Sequence, residues 1–421
     1  MSAVGAVAGE LRRTVLPNGL TVLSEIIPGV RSVAFGSWVR AASVHEPRER
    51  MGVSHLLEHM VFKGTERRSA KEIAVSLESL GGSLDAYTAR EHTSFQARVL
   101  DEHLEQAADV IGDLVFRPLL RAEDLKLERK VVLEEISMVN DTPDDLVFEL
   151  HNEAMWGRHP YGYSILGTRD TVTSLGVRDL RELHDRAYHP PQLVVAAAGN
   201  VDHDRLLEAL DKTGWMAVPR GETSQAAWPD SPIAQPGYRH IDRDSAQTHI
   251  VFGAPTVPHR DPRRYAVVLV STVLGGGMSS RLFQRVREDL GLAYAVYTYQ
   301  SFHPDIGVQG VYVGTAPDTA ADARAAIGEE LERIVQDGLS QEEIAAGKSQ
   351  LKGQITLSLE SVTTRMYRAA AVDLYDEPFK SLDQLLRLID DITDEQVAEV
   401  CREFFRPANQ MVVSLGPAAA A

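Results

Sequence analysis

The chain has 421 residues, of which 44% are hydrophobic and 24% are charged, as in a folded globular protein. This length suits two large domains, each able to bury a hydrophobic core. The 60 acidic and 43 basic residues give a formal net charge of −17, and such a negative field repels the phosphate backbone of nucleic acid. Nucleic acid is therefore not an expected partner.

The cysteine content and the distribution of apolar residues bear on the cellular compartment. Cys401 is the only cysteine, so no intramolecular disulfide can form and a reducing compartment fits. The small, apolar start at 1–9 lacks the charged segment and the long apolar core of a signal peptide. No run approaches the roughly 18 consecutive apolar residues of a membrane-spanning helix. We expect a cytoplasmic protein without a membrane span.

In chain order, the predicted elements alternate between strands and helices. The first segment, Leu11–Glu25, contains the turn signal Pro17-Asn18-Gly19 between two apolar runs, which predicts a β-hairpin. The spacing of apolar residues then predicts strands at 32–40, 83–87 and 94–100, and helices at 53–62, 104–115 and 123–139. This mixed order indicates an α+β fold class.

An internal repeat divides the chain into two homologous domains. The segment 188–199 resembles 405–416, at an offset of about 217 residues. Between the copies, residues 219–237 are rich in Pro, Gly, Ser, Thr and Ala, the composition of an exposed linker. We predict an N-terminal domain at 1–218 and a C-terminal domain at 238–421, joined by this linker and followed by a frayed tail at 417–421.

The helix predicted at 53–62 contains the motif His55-Leu56-Leu57-Glu58-His59. Histidines four residues apart lie on one helix face, one turn apart, so their imidazoles can bind one metal ion. Glu58 can reach a metal-bound water without being a ligand, which makes it the expected general base. A catalytic zinc site also needs a third protein ligand and an open coordination position. The alternative is a helix with two partly buried, hydrogen-bonded histidines.

The sequence 52–65 around this motif strongly resembles the pitrilysin and insulin-degrading-enzyme family, especially its processing-peptidase branch. The resemblance implies that Glu135, in the apolar and acidic helix 123–139, is the third zinc ligand. Glu134 points about 100° away on a helix and is expected to be a solvated carboxylate. Glu128, two turns before Glu135, matches a family glutamate beside the site and is expected to orient a ligand, with a surface ion pair as the alternative.

The resemblance also implies the activity. We expect a zinc-dependent metalloendopeptidase with one Zn²⁺ per chain, in which Glu58 activates the attacking water. Residues 81–88 resemble the family's edge strand, which binds an extended peptide through backbone pairing, so Asp85 and Ala86 are candidate substrate-binding residues. Relatives commonly carry Asn where this chain has Asp85. The added carboxylate either favours basic side chains or leaves the backbone contact unchanged.

Where the repeat corresponds to the metal motif, the second half has the glycine run Gly275–Ser280, and this run contains no His or Glu that could bind a metal. Arg281 stands where a phosphate-binding loop would carry lysine, so we interpret the run as a structural turn before a helix at 281–290. By resemblance, Tyr294 donates a hydrogen bond to the developing oxyanion and Arg287 anchors the substrate. The alternative is an exposed arginine and a half-buried tyrosine.

Fold and partners also follow from the resemblance. It implies two homologous α+β domains, each with a mainly antiparallel sheet and helices packed on one face, the second without a metal site. It implies a homodimer that encloses a chamber for peptide substrates. Two other functions are a non-catalytic subunit or scaffold of a processing-peptidase-like complex and a zinc-storage or structural-zinc protein. The complete set of ligands, base and arginine-tyrosine pair in one chain favours the enzyme.

Overall fold

The computed structural model describes residues 10–221 and 229–417. The predicted start at 1–9, part of the predicted linker at 222–228 and most of the predicted tail at 418–421 lie outside the described residues. The strands are β1 (Leu11–Val15), β2 (Thr21–Ile26), β3 (Ser32–Val39), β4 (Ser83–Thr88), β5 (Thr93–Leu100), β6 (Leu193–Gly199), β7 (Gly237–Asp242), β8 (Thr248–Thr256), β9 (Ala293–Phe302), β10 (Gly307–Thr315) and β11 (Met411–Gly416).

Helices of several kinds connect the strands. The α-helices are α1 (Val53–Val61), α2 (Ala70–Glu78), α3 (Leu104–Phe116), α4 (Ala122–Asp141), α5 (Pro143–Trp156), α6 (Arg169–Ser174), α7 (Val177–Ala187), α8 (His203–Lys212), α9 (Arg264–Gly275), α10 (Ala320–Asp337), α11 (Gln341–Ser358), α12 (Val362–Leu374), α13 (Leu382–Asp390) and α14 (Asp394–Phe404). A π-helix spans Phe283–Asp289. Short 3-10 helices span Ser43–His45, Arg48–Arg50, Asp101–His103, Pro160–Gly162, Pro190–Gln192, Pro317–Thr319 and Pro407–Asn409.

The first of two compact units consists of the described residues within Met1–Ile136, Ser164–Pro229 and Leu357–Ser381. Its sheet has the strand order β1-β2-β6-β3-β5-β4. Neighbouring strands are antiparallel except β2 and β6, which run parallel. Strand β4 lies at one edge of this sheet and α1 packs against β4 and β5. The sheet therefore brings its edge strand close to the helix that carries the metal motif.

Both faces of this sheet are covered by helices, because its central strands are apolar on both sides. Phe35 and Val195 point to one face, into the main core with α1, α3, α7 and α8. Trp38 and Val194 point to the other face, where Met366 and its neighbours on α12 cover them. Every residue of β6 is buried, as is typical of a strand covered on both sides.

The second unit consists of the described residues within Ser137–Tyr163, Asp230–Thr356 and Leu382–Ala421. Its sheet has the order β7-β11-β8-β10-β9, antiparallel except between β7 and β11. Helices α9, α10, α11 and α14 contribute to a core on one face. Helix α5 lies against β8 and β11, and His151 Nε2 is 3.1 Å from the carbonyl oxygen of Met411.

The predicted α+β class and the mainly antiparallel sheets are confirmed. The predicted packing of helices on one face of each sheet requires a correction. Helix α12 covers the other face of the first sheet, and α5 covers the other face of the second sheet. The domain limits 1–218 and 238–421 stay a prediction, and the compact units differ from them by exchanging segments of the two halves. Within the described residues, none of the helices has both the length and the hydropathy needed to cross a membrane.

Candidate metal centre

Helix α1 carries the metal motif and is anchored at its N-terminus. Leu56 and Leu57 are fully buried in the main core. Gly52 precedes the helix with a φ of 91°, a left-handed conformation that glycine adopts without a Cβ clash. The buried carboxylate of Glu46 accepts hydrogen bonds from the backbone N–H groups of Gly52 and Ser54, both at 2.7 Å. These bonds satisfy donors that would otherwise be unpaired at the helix start.

The two motif histidines lie side by side on α1. The ring centroids of His55 and His59 are 4.7 Å apart. Burial of the ring, with a smaller contribution from the charge of His59, lowers the pKa of His55 to about 4. The His55 imidazole is therefore neutral near pH 7, the protonation state in which imidazole binds a metal ion.

Helix α4 brings a carboxylate to the two histidines. Glu135 Oε2 lies 3.5 Å from His59 Nε2 and 3.8 Å from His55 Nε2. One ligand atom from each of these three residues lies within 4.8 Å of the other two. The neighbouring Glu134 is exposed to solvent. The structure thus brings together the three residues predicted as metal ligands.

The chemistry of this cluster fits a bound zinc ion. Glu135 Oε2 is buried and has no hydrogen-bond partner among the described residues, and a buried carboxylate oxygen without a partner is costly unless a cation neutralises it. Two imidazole nitrogens and one carboxylate oxygen form a donor set of catalytic zinc sites. In such sites the fourth coordination position stays open for water or substrate.

Glu128 contacts the ring nitrogen of His59 that does not face Glu135. Its carboxylate is buried, with Oε2 at 3.2 Å from His59 Nδ1 and Oε1 at 2.7 Å from Lys63 Nζ. A carboxylate oxygen accepts hydrogen bonds, so His59 Nδ1–H is the donor and Nε2 is the ring nitrogen that faces Glu135. The geometry matches the orienting position predicted for Glu128. Glu128 also pairs with Lys63, but this ion pair is not the surface pair of the alternative, since the Glu128 carboxylate is buried.

Glu58, on the turn between the two histidines, is buried beside them. Burial raises the pKa of the Glu58 carboxyl, while a hydrogen bond from Thr88 and the charge of His59 oppose this shift. Thr88 Oγ1 donates to Glu58 Oε2 at 2.6 Å. A carboxylate with a raised pKa accepts a proton more readily than one with the ordinary pKa, as a general base requires.

Strand β4 has the geometry expected of a peptide-binding edge. Asp85 pairs with Gln96 of β5 and Ala86 pairs with Phe95, on the inner side of β4. Asp85 is exposed and Ala86 is half-buried. Because β4 is the last strand of the described sheet, its outer side offers backbone groups to an additional strand.

In the second unit, Arg287 and Tyr294 contact each other. Arg287 Nη1 donates to the carbonyl oxygen of Tyr294 at 2.8 Å, and its guanidinium lies 4.5 Å from the centroid of the Tyr294 ring. The side chain of Tyr294 is 76% exposed, which leaves its hydroxyl available for a ligand. Arg287 lies in a π-helix, a rare form that is frequent at functional sites. Their catalytic roles stay a prediction.

Sequence reasoning missed Glu46 and Thr88, two residues in direct contact with the motif helix. Neither has a local signal, since each contact depends on how a neighbouring loop or strand packs on α1. Thr88 closes the segment 81–88 that the resemblance singles out, but its position there says nothing about Glu58.

Comparisons with known proteins match both halves of the chain. The description Insulinase (Peptidase family M16) applies to the match at residues 21–169, and Peptidase M16 inactive domain to the match at residues 174–351. An uncharacterized zinc protease of Streptomyces coelicolor is 40% identical over 408 residues, covering 94% of this chain and 87% of that protein. The chain belongs to peptidase family M16.

Further M16 relatives and solved structures resemble the chain over most of its length. An uncharacterized zinc protease of Bacillus subtilis is 37% identical, with 94% of this chain and 96% of that protein covered. A crystal structure described as a peptidase M16 inactive domain from Pseudomonas fluorescens has a TM-score of 0.90 at 21% identity and covers 98% of both chains. A protease from Helicobacter pylori has a TM-score of 0.91 at 20% identity, covering 97% of this chain and 100% of the other. The two structures show the shared fold.

Membership of M16 confirms the resemblance found in the sequence. With it, the predicted zinc cofactor and the general class, a metallopeptidase, are confirmed. The processing-peptidase branch is not specified by these comparisons and stays a prediction.

Proposed function

We propose that this M16 protein is a metalloendopeptidase that hydrolyses extended peptides or unfolded polypeptide segments, with Glu58 as the general base. The proposal depends chiefly on His55, His59 and Glu135, which offer three ligand atoms within 4.8 Å of one another. The buried carboxylate of Glu58 lies on the same helix as two of these ligands. Three protein ligands with a carboxylate beside them suit a catalytic site better than a storage or structural one.

The metal ion, Glu58 and Glu128 have different roles in the proposed hydrolysis. When bound, zinc supplies a Lewis acid that polarises the scissile carbonyl and makes water a nucleophile near neutral pH. Glu58 takes a proton from the attacking water and delivers it to the nitrogen of the leaving amine. Glu128 keeps His59 in the orientation and tautomer that direct Nε2 towards Glu135. The peptide is hydrolysed without a covalent bond to the protein.

The substrate docks as an extended strand on the outer side of β4. Backbone pairing at Asp85 and Ala86 supplies affinity that does not depend on the peptide sequence. Such pairing requires an extended segment, so folded surfaces are excluded as substrates. By family resemblance, Tyr294 donates to the developing oxyanion and Arg287 anchors the substrate.

A peptide library tests this proposal. The purified chain is incubated with mixed peptides, with and without a zinc chelator, beside the Glu58→Gln variant, and products are identified by mass spectrometry. We expect internal cleavage that stops on chelation, returns with zinc, and falls at least about 100-fold in the variant. Equal cleavage by a zinc-loaded Glu58→Gln variant refutes Glu58 as the base. Release of terminal residues alone refutes the endopeptidase assignment, and a zinc-loaded chain that cleaves nothing supports the non-catalytic subunit instead.

We also propose that the chain forms a homodimer, as the family resemblance implies. Light scattering at micromolar concentration is expected to give about twice the chain mass of 46.3 kDa. A clean monomer would contradict this proposal without affecting the metal centre.

A further inference from the structure

The last residue of the edge strand contacts the proposed general base. Thr88 ends β4, and its hydroxyl lies 2.6 Å from Glu58 Oε2. An ionised carboxylate has no proton to give, so the threonine hydroxyl is the donor. The contact joins two elements of the first unit that are 30 residues apart in sequence.

Thr88 is itself held firmly. Its backbone pairs with that of Thr93 on β5. Thr93 is fully buried and donates to the carbonyl oxygen of Ala41 at 3.3 Å. The β-branched side chain of Thr88 also has few rotamers. The hydroxyl that meets Glu58 is therefore fixed by the sheet and not by the helix that carries the base.

A glutamate on a helix needs such support, because its carboxylate turns about three side-chain bonds. Its second oxygen must stay free to take a proton, and a carboxylate beside two metal-binding histidines can also swing towards the metal. Fixing Oε2 through Thr88 leaves Oε1 as the proton acceptor. Displacement of a catalytic group by about 1 Å can cost about 100-fold in rate.

We propose that Thr88 is a positioning residue that ties the general base to the strand on which the substrate docks. This inference rests on the proposed function, in which the peptide pairs with β4. A peptide that pairs with β4 and the Glu58 carboxylate that is hydrogen-bonded to the end of β4 are then both positioned by this strand. Substrate docking and base orientation are then set by the same strand.

Three variants at this position test the role of the hydroxyl. Thr88→Val keeps the shape and removes the donor, Thr88→Ala removes the donor without adding an apolar group, and Thr88→Ser keeps the donor. We expect kcat to fall about 10- to 100-fold in the first two, with KM within about twofold, and to stay within about threefold in Thr88→Ser. Thr173→Val makes the same exchange on an exposed helix and is expected to match the wild type.

Zinc content and melting temperature are measured for every variant, so that loss of metal or of folding is seen separately from loss of rate. Thr88→Val or Thr88→Ala with wild-type kcat overturns the inference, and so does Thr88→Ser with the same loss as Thr88→Val. If these results appear while Glu58→Gln is inactive, the proposed function stands and only the role of Thr88 fails. If Glu58→Gln cleaves as fast as the wild type, the proposed base fails and this inference fails with it.

Discussion

Three glutamates of α4 lie in different surroundings because of their positions around the helix. Glu128 and Glu135 are seven residues apart, about two turns, and therefore point to the same side. Glu128 is buried against His59 and Lys63, and Glu135 reaches both histidines. Glu134 is turned about 100° away from Glu135 and is exposed. Helical phase therefore separates a predicted ligand, its predicted support and a solvated carboxylate within one helix.

Glu128→Gln is expected to weaken zinc binding about 10- to 100-fold, because a neutral amide oxygen is a weaker acceptor for His59 Nδ1–H than a carboxylate oxygen. Competition with a chromogenic chelator measures the zinc affinity. Glu134→Gln removes one charge from the same helix and serves as the control, with affinity near that of the wild type. Equal affinities for the two variants would show that Glu128 does not support the metal ligand.

Among the elements, α1 depends on contacts at its N-terminus for its position. Gly52 has a left-handed φ, and a Cβ added there would lie 2.6 Å from the carbonyl oxygen of Leu166. Gly167, also left-handed, faces Gly52 so closely that an added Cβ would lie 2.4 Å from the carbonyl oxygen of Met51. Side chains cannot be added at either glycine without moving backbone. This close approach fixes where α1, and hence the metal motif, begins.

The carboxylate of Glu46 gives this element a stability test. Glu46→Gln leaves one oxygen for two buried backbone donors, so one N–H group loses its acceptor, and we expect about 1–3 kcal/mol of lost unfolding free energy. Chemical denaturation measures the loss. The exposed Glu49→Gln is the control and should unfold like the wild type. A wild-type unfolding curve for Glu46→Gln would mean that the two bonds do not stabilise the start of α1.

In the second unit, an ion pair links the segment before the π-helix to α11. Arg281 Nε and Nη2 donate to the two oxygens of Glu343 at 2.6 and 2.7 Å, and these bonds lower the pKa of Glu343 to about 2. Because the folded-state pKa is depressed, the stabilisation is complete above the ordinary value of 4.5 and is lost as the pH falls towards 2.

We therefore expect Glu343→Gln to lower the melting temperature at pH 7 and to lower it less at pH 3. Thermal unfolding followed by circular dichroism at both pH values measures the difference. Glu342→Gln, at the exposed neighbouring position, is the control. A gap between Glu343→Gln and the wild type that stays equal at both pH values would rule out the ionised pair as its cause.

The two halves of the sequence exchange one helix each, so that one face of each sheet is covered by a helix from the other half. Helix α12 packs on the first sheet, where the buried Glu25 accepts from Arg365 and Arg368, both at 2.7 Å. Helix α5 packs on the second sheet. We therefore expect that 1–218 and 238–421 expressed as separate chains would each leave one face of a sheet uncovered.

Local patterns in the sequence predict where helices and strands lie better than they predict which of these elements pack together. The 3.6-residue period predicts α1 and α4, and the spacing of His55 and His59 predicts their common face. No local pattern indicates which sheet α12 covers, since that depends on the path of the chain through its loops. Glu135 comes from family resemblance alone, because 76 residues of separation carry no geometric information. Thr88 and Glu46 meet α1 only through tertiary packing.

Removal of zinc is expected to destabilise the folded chain. The predicted ligands come from two helices, so an ion bound by them would link α1 to α4, and its loss is expected to lower the melting temperature by roughly 5–15 °C. Calorimetry before and after chelation, followed by addition of zinc, measures the change. His55→Ala should melt at one temperature with or without chelator. An equal response of this variant and the wild type would mean that zinc binds elsewhere.

The most direct measurement is the position of the metal itself, obtained by anomalous diffraction at the zinc edge from crystals of the zinc-loaded chain. We expect one peak bonded to His55 Nε2, His59 Nε2 and a carboxylate oxygen of Glu135 at about 2.0–2.2 Å, with a fourth position occupied by solvent. A peak away from α1, or a fully occupied site in which Glu135 is not a ligand, would contradict the metal centre on which the proposed function depends.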